Sequence, residues 1–251
     1  MKLVLVNLVL LIVIVNCISS RKNPNKWIRS GRPGGDMILR RNRNGLIDPI
    51  YRWPHKTVCY QFSGNFTQDE INLIYDTVNT AFEGTCIRFR HCDCNGNYVN
   101  VTNDQDGCFS EVGYRGGVQQ LNLGLHCLFR ETIAHEFMHA VGFYHQQSTT
   151  NRDNYIKLIT ENIDPVYLHD FNIPPNITSF GQPYDYCSIM HYDIYAFTLN
   201  GEPTMELLCS TDCDVGFVLE LSQVDKNKIN LMYECGPEYP IVYVPDPCTG
   251  V

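Results

Sequence analysis

The segment 135–145, which reads HEFMHAVGFYH, constrains this chain more than any other part of the sequence. The residue pattern from about Arg130 to Val141 predicts a helix. His135 and His139 lie four positions apart, so the helix presents both imidazoles on one face, one turn apart. That spacing suits two nitrogen ligands of a single Zn²⁺ ion. The chain must therefore fold so that this helix borders a metal site.

Three further residues extend the pattern. Gly142 ends the helix, because glycine adopts the backbone conformation that turns a chain back, and His145 can then supply a third ligand. Three protein ligands leave one position of the zinc ion open for water, whose pKa the ion lowers toward about 7. Glu136 can take the proton of that water. A lone histidine on an apolar helix is usually a core or surface group, but the full set predicts a site that activates water for hydrolysis.

The amino terminus predicts export. An apolar run ends in small residues before Ser19, which is typical of a signal peptide over residues 1–19. A transmembrane anchor is the weaker alternative, because it needs roughly 20 apolar residues. Eleven of the 12 cysteines lie beyond this peptide and should mostly pair as disulfides in an oxidising compartment, with one left over. Three sequons agree with export and with glycosylated loops: Asn65, Asn100 and Asn176.

Charge is distributed unevenly along the chain. Residues 21–43 hold eight basic residues and one acid, Asp36, whereas residues 44–251 hold 10 basic and 26 acidic residues. The acidic body argues against nucleic acid as a partner. The basic leader is either a disordered tail or a pro-segment that the body attracts and that proteases remove at arginines.

Other patterns predict one folded unit over residues 44–236. Helix start signals predict two more helices, 67–82 and 222–232. Runs of β-type residues predict a small sheet with strands at 86–89, 98–101 and 118–123. A short proline-rich tail, 237–251, follows, so we expect substrate choice to depend on the cleft at the metal site.

Residues 44–235 resemble the astacin family of zinc endopeptidases, which belongs to the metzincin group. Beyond the zinc helix, the resemblance rests on the Met-turn sequence SIMHY at 188–192 and on short matches at 52–54, 85–89, 113–119, 152–156 and 225–235. It implies an α+β, two-lobed zincin-like fold. The N-terminal lobe would hold a twisted mixed sheet and two long helices. The C-terminal lobe would be mostly irregular and would end in a helix.

The resemblance also implies the roles of individual residues. His135, His139 and His145 would bind one zinc ion per catalytic domain, and Glu136 would act as general base and then general acid on protein or peptide substrates. Tyr192 would be a switchable fifth ligand that supports the transition state. Together with the predicted signal peptide, the resemblance implies a secreted, extracellular hydrolase without a membrane anchor.

Further implications concern the surroundings of the zinc ion. Met190 would form an apolar floor beneath the imidazoles, where a thioether packs without competing for the metal. Residues 118–123 would form the edge strand against which an extended substrate lies. Without the resemblance, the same pattern favours an ordinary sheet edge.

The family's two disulfides map to Cys86–Cys235 and Cys108–Cys127. Among the other cysteines, Cys209 with Cys213 is a plausible local bridge, and Cys187 could tie the Met-turn to a neighbouring loop. A structural zinc site built from cysteines is less favoured in an oxidising compartment. The sequence leaves open the pairing of Cys59, Cys92, Cys94, Cys187, Cys209, Cys213 and Cys248.

Residues 20–43 resemble an astacin pro-segment through the sequence GGDMI at 34–38. Asp36 would then occupy the water site on zinc. Cleavage after Arg43 by a trypsin-like activating protease would release a mature chain that begins at Asn44. A flexible secreted tail is the alternative.

Two positions depart from the family pattern. Gln146 stands where a glutamate usually contacts the new amino-terminal amine indirectly, and Thr149 stands where arginine is usual. We therefore expect a looser loop after the zinc helix and a weaker link between cleavage and activation. The alternative functions are a binding protein that has lost turnover and a different metzincin branch. Intact ligands with Glu136 argue against the first, and Tyr192 argues against the second.

Overall fold

The computed structural model describes residues 35–38, 48–92, 94–175 and 177–250. The predicted signal peptide, the cleavage point after Arg43 and the sequon at Asn176 lie outside these residues. No helix within the described part of the chain is long and apolar enough to cross a membrane.

A six-stranded mixed sheet forms one layer of the first lobe. Its strands are β1 (Met37–Ile38), β2 (Thr57–Phe62), β3 (Arg88–His91), β4 (Tyr98–Thr102), β5 (Cys108–Glu111) and β6 (Val118–Leu123). Their order across the sheet is β1-β5-β6-β4-β2-β3. The β5 and β6 strands are antiparallel, and the other neighbours are parallel.

Two long helices pack against this sheet. Helix α1 (Gln68–Ala81) begins at Thr67 with the predicted capping box, in which Thr67 and Glu70 each accept a hydrogen bond from the other's backbone N–H. Helix α2 (Arg130–Val141) ends at Gly142, where φ is 132°, a value that L side chains rarely adopt. Alternate strand residues share one buried core with both helices: Val58, Tyr60, Val99, Val101, Leu121, Leu123, Ile74, Val78, Ile133 and Phe137.

Two predictions about the sheet were wrong. The strand predicted at 86–89 runs from Arg88 to His91 instead, because its pairing with β2 begins at Arg88 and Cys86 is held in a disulfide. Residues 118–123 do not form the sheet edge, since β6 lies between β4 and β5. The β5 strand lies outside β6, and β1 pairs with its outer side.

The second lobe is mostly irregular, as predicted. Its short ribbon consists of β7 (Ile156–Leu158) and β8 (Met205–Leu207), and helix α3 (Gln223–Met232) is the last helix of the described chain. Aromatic side chains dominate the core of this lobe: Tyr155, Phe171, Tyr184, Tyr186, Tyr192 and Phe197. Helix α3 starts with a capping box at Ser222 and buries Ile229 and Met232 in the core of the first lobe. It therefore links the two lobes.

Four disulfides join described cysteines: Cys86–Cys235, Cys108–Cys127, Cys187–Cys213 and Cys209–Cys248. The first two are the pairs that the resemblance implies, and Cys187 does tie the Met-turn to another loop. Cys59 is also disulfide-bonded, and the sulfur of Cys92 lies 2.8 Å from the sulfur of Cys59.

The local bridge between Cys209 and Cys213 was a wrong prediction. The backbone N–H of Leu208 donates to the carbonyl of Tyr155, and the hydroxyl of Tyr155 donates to Asp246 in the tail. These contacts bring the tail beside Cys209, so that Cys248 becomes its partner.

The two described sequons differ in their surroundings. Asn65 is exposed. Asn100 lies in β4 rather than in a loop, and its Oδ1 accepts a hydrogen bond from Ser63 Oγ. The prediction that Asn100 lies in a loop was therefore wrong.

Candidate metal centre

Helix α2 and the chain that follows it bring the three predicted histidines together. His135 and His139 come from α2, and His145 follows the turn at Gly142. All three are at most 2% exposed, and their ring centroids lie 4.7 to 5.4 Å apart. With Asp36 they form a group whose ligand atoms all lie within 4.8 Å of one another.

Backbone carbonyls orient two of these imidazoles. The carbonyl oxygen of Ile189 lies 2.7 Å from His135 Nδ1, and that of Phe143 lies 2.7 Å from His139 Nδ1. A proton on each Nδ1 satisfies these contacts and leaves Nε2 to face the centre, the arrangement that metal-binding histidines need. Burial lowers the pKa of His145 to about 4, which favours the neutral imidazole that binds metals.

Asp36 lies at the centre of the three histidines. Its Oδ2 is 3.1 Å from His135 Nε2, and its Oδ1 is 2.9 Å from His145 Nε2 and 3.7 Å from His139 Nε2. Burial acts to raise the pKa of Asp36. The surrounding imidazoles nevertheless hold that pKa well below its usual value, with His145 contributing most.

The donor set fits a zinc ion. Four tetrahedral ligands at 2.0–2.1 Å from Zn²⁺ lie about 3.3 Å from one another, and the three carboxylate-to-imidazole distances scatter around that value. Asp36 Oδ1 lies near the buried Nε2 atoms of His139 and His145, but none of these three atoms makes a hydrogen bond within the described residues. Buried nitrogen atoms without a hydrogen-bond partner are expected where a metal ion takes the place of that partner.

Glu136 and Tyr192 border this group. The carboxylate of Glu136 is fully buried, and neither oxygen has a hydrogen-bond partner within the described chain. Burial, followed by the charge of Asp36, raises the pKa of Glu136 well above its usual value. The ring of Tyr192 packs on His145 with centroids 4.2 Å apart. Its hydroxyl lies 2.8 Å from where a Cβ at Gly35 would stand.

The Met-turn packs against the same site. Met190 is buried in the core of the first lobe, and its carbonyl accepts a hydrogen bond of 2.9 Å from the N–H of Gln146. Asp225 of α3 accepts hydrogen bonds from Ser188 Oγ and from the N–H of Ile189, at 2.6 and 3.0 Å. The carbonyl that orients His135 is therefore fixed by the last helix.

The loop after α2 is held more firmly than we expected from Thr149. Residues 146–148 form a buried 3₁₀ turn. The Nη1 of Arg152 donates to the carbonyls of Gln147 and Phe171, at 3.0 and 2.7 Å. The side chain of Lys228 in α3 donates to Gln146 Oε1 at 2.5 Å. The sequence analysis missed this contact, because no motif signals a pair 82 residues apart.

The model of the astacin peptidase family matches residues 45–234, more than half of the chain. The chain belongs to the astacin family. Zinc metalloproteinase nas-7 of Caenorhabditis elegans is 42% identical to it over 201 residues, which cover 79% of this chain and 52% of the relative. Embryonic protein UVS.2 of Xenopus laevis is 35% identical over 217 residues, which cover 84% of this chain and 42% of the relative. This astacin-family chain thus spans about half the length of these curated relatives.

A solved structure is similar in fold to this astacin-family chain. It is high choriolytic enzyme 1, a hatching enzyme zinc-protease from the medaka fish Oryzias latipes, with a TM-score of 0.68 and 31% identity. The match covers 74% of this chain and 94% of that chain. The predicted two-lobed α+β fold is confirmed.

Proposed function

We propose that this chain is a secreted zinc endopeptidase that hydrolyses peptide bonds in proteins. The observation that carries the proposal is the buried carboxylate of Glu136, which has no hydrogen-bond partner among the described residues and borders three convergent histidines. His135, His139 and His145 would hold a zinc ion there, which would supply Lewis-acid chemistry for the scissile carbonyl and lower the pKa of bound water. Glu136 takes a proton from the attacking water and delivers it to the leaving amine.

The outer side of β5 is the proposed place of the substrate backbone. The β1 strand occupies it, pairing Met37 with Ser110 and Ile38 with Glu111. The N–H of Ser110 also donates to the carbonyl of Asp36 at 2.8 Å. An extended peptide can make the same ladder contacts once β1 has left, because a sheet edge offers its backbone groups to any strand.

The same contacts support a zymogen. Asp36 lies among the metal histidines, and β1 covers the strand that substrate would need. We propose that a trypsin-like protease cuts after Arg43 and that residues 20–43 then leave. We also propose that residues 1–19 direct export and that Asn65 is glycosylated. Mass spectrometry of the chain secreted by eukaryotic cells, before and after trypsin, tests each of these steps.

We expect the metal to be lost when one histidine ligand is removed. Zinc content should fall from about one ion per mature chain to below about one tenth in His139→Ala, because two histidines alone do not complete a structural or catalytic zinc site. Elemental analysis after dialysis measures it. The exposed His126, changed to asparagine, is the matched control and should keep its zinc. Normal zinc content in His139→Ala would contradict the ligand assignment.

We expect Tyr192→Phe to lower kcat about 10²-fold while KM changes little, as when one donor to a developing oxyanion is lost. The ring would remain to pack on His145, so the variant isolates the hydroxyl. Steady-state kinetics on a quenched peptide measure both constants. A rise in KM at constant kcat would instead assign Tyr192 to substrate binding.

A further inference from the structure

A buried ammonium contacts the residue that directly follows the third metal ligand, His145. Lys228 is in α3 and is only 5% exposed, and Gln146, whose Oε1 accepts its hydrogen bond, is 3% exposed. Removing an ammonium from water costs several kcal/mol unless acceptors and opposite charge surround it. The catalytic steps proposed above make no use of this charge, so its retention in the interior calls for a reason.

Two buried carboxylates supply the opposite charge. Burial lowers the pKa of Lys228, and the charges of Asp225 and Asp185 oppose that shift. Both carboxylates also bind the chain around the Met-turn. Asp225 accepts from the N–H of Ile189 at 3.0 Å, and Asp185 accepts from the N–H of Cys187 at 3.0 Å.

Through these groups α3 reaches two of the three histidines. On one side, Lys228 holds the side chain of Gln146, whose backbone follows directly on His145. On the other side, Asp225 holds the N–H of Ile189, whose carbonyl accepts from His135. The N–H of Gln146 also donates to the carbonyl of Met190, so this loop contacts the Met-turn directly.

We propose that Lys228 is a positioning residue for the metal site. Its ammonium fixes the Gln146 side chain and, through it, the backbone that places His145 against the Met-turn. Because the cation belongs to α3 itself, this arrangement needs no charge from a newly cut amino terminus. Gln146 departs from the family pattern because its side chain is a neutral acceptor. The cation that it contacts is Lys228, which is present before any cleavage of the chain.

The first test compares Lys228→Met with Lys226→Met, a variant of the same helix at a half-buried position. Lys228→Met should retain zinc about tenfold less well against a competing chelator and should lose about tenfold in kcat at little changed KM, the size of effect seen when a group behind a ligand is lost. Lys226→Met should match the wild type in both. Equal zinc retention and equal kcat in Lys228→Met would overturn the proposal.

A second test does not depend on the folding of a variant. Mature chains that begin at Arg41, Asn42, Asn44 or Gly45 are released from a cleavable fusion partner. With the cation supplied by Lys228, kcat/KM should agree within about threefold across the series. A loss of about tenfold or more when the start moves by one residue would overturn the proposal, because it would show that the terminal amine is required.

The activity arms of both tests rest on the proposed function, but the zinc arm does not. If the correctly cut wild type cleaves nothing, the endopeptidase proposal fails, and zinc retention by Lys228→Met and Lys226→Met still decides the role of Lys228. If the wild type is active and Lys228→Met equals it in zinc retention and kcat, only the role of Lys228 fails.

Discussion

The mature Glu136→Gln variant should bind zinc normally and lose about 10³-fold in kcat. Glutamine keeps the shape of the buried side chain but cannot accept a proton from water. Glu136 is not among the four residues whose ligand atoms converge, so the metal should stay. Substrate contacts along β5 are unchanged, and KM should change little. Zinc analysis and steady-state kinetics on the same preparation measure the three quantities together.

The matched control for this variant is Glu131→Gln in the first turn of the same helix, where the side chain is only half-buried. It should keep both zinc and kcat. A Glu136→Gln enzyme with more than about a tenth of wild-type kcat would rule out Glu136 as the general base. Loss of zinc from that variant would instead indicate a structural role.

The uncut precursor should become active when Asp36 is changed to asparagine. The cut is blocked by Arg43→Gln, and basal cleavage of a quenched peptide is compared with Asp36 intact or replaced. We expect a rise of about 10- to 100-fold, because the neutral amide would bind the metal less tightly than the charged carboxylate. Activity should stay below that of the mature chain, since β1 still pairs with β5.

Asp36→Glu tests whether charge alone is enough. The longer side chain keeps the carboxylate but moves its oxygens away from positions that lie 2.9 to 3.7 Å from the imidazoles, so partial activation is expected. Electrophoresis must show that every precursor is intact. An intact Asp36→Asn precursor as silent as its parent would show that β1, and not the aspartate, maintains inhibition.

The helices of this fold could be predicted because their signals are local. Thr67 and Ser222 each cap a helix through a glutamate or aspartate three residues on, and Gly142 ends α2 by its own backbone freedom. The strands were harder to predict. All four residues of β5 are buried, so the sequence of this strand shows no alternation of apolar and polar residues. The position of β5 outside β6 depends on pairing between segments that are distant in the chain.

The candidate site likewise has one part that local sequence predicts and another that it does not. Spacing within one segment is enough to bring His135, His139 and His145 to one point. The contact between Lys228 and Gln146 and the bridge from Cys209 to Cys248 join segments that meet only after both lobes have folded. A lysine, glutamine or cysteine at such a position does not indicate its partner in a single sequence.

Cleavage of an unfolded protein substrate by the trypsin-processed chain tests the central claim most directly. The reaction is run with and without a zinc chelator, and zinc is then added back after the trypsin has been inhibited. We expect cleavage that the chelator abolishes, that zinc restores and that Glu136→Gln lacks. A processed wild-type chain that holds one zinc ion and cleaves no protein or peptide in a broad library would contradict the account and favour a binding protein on the same scaffold.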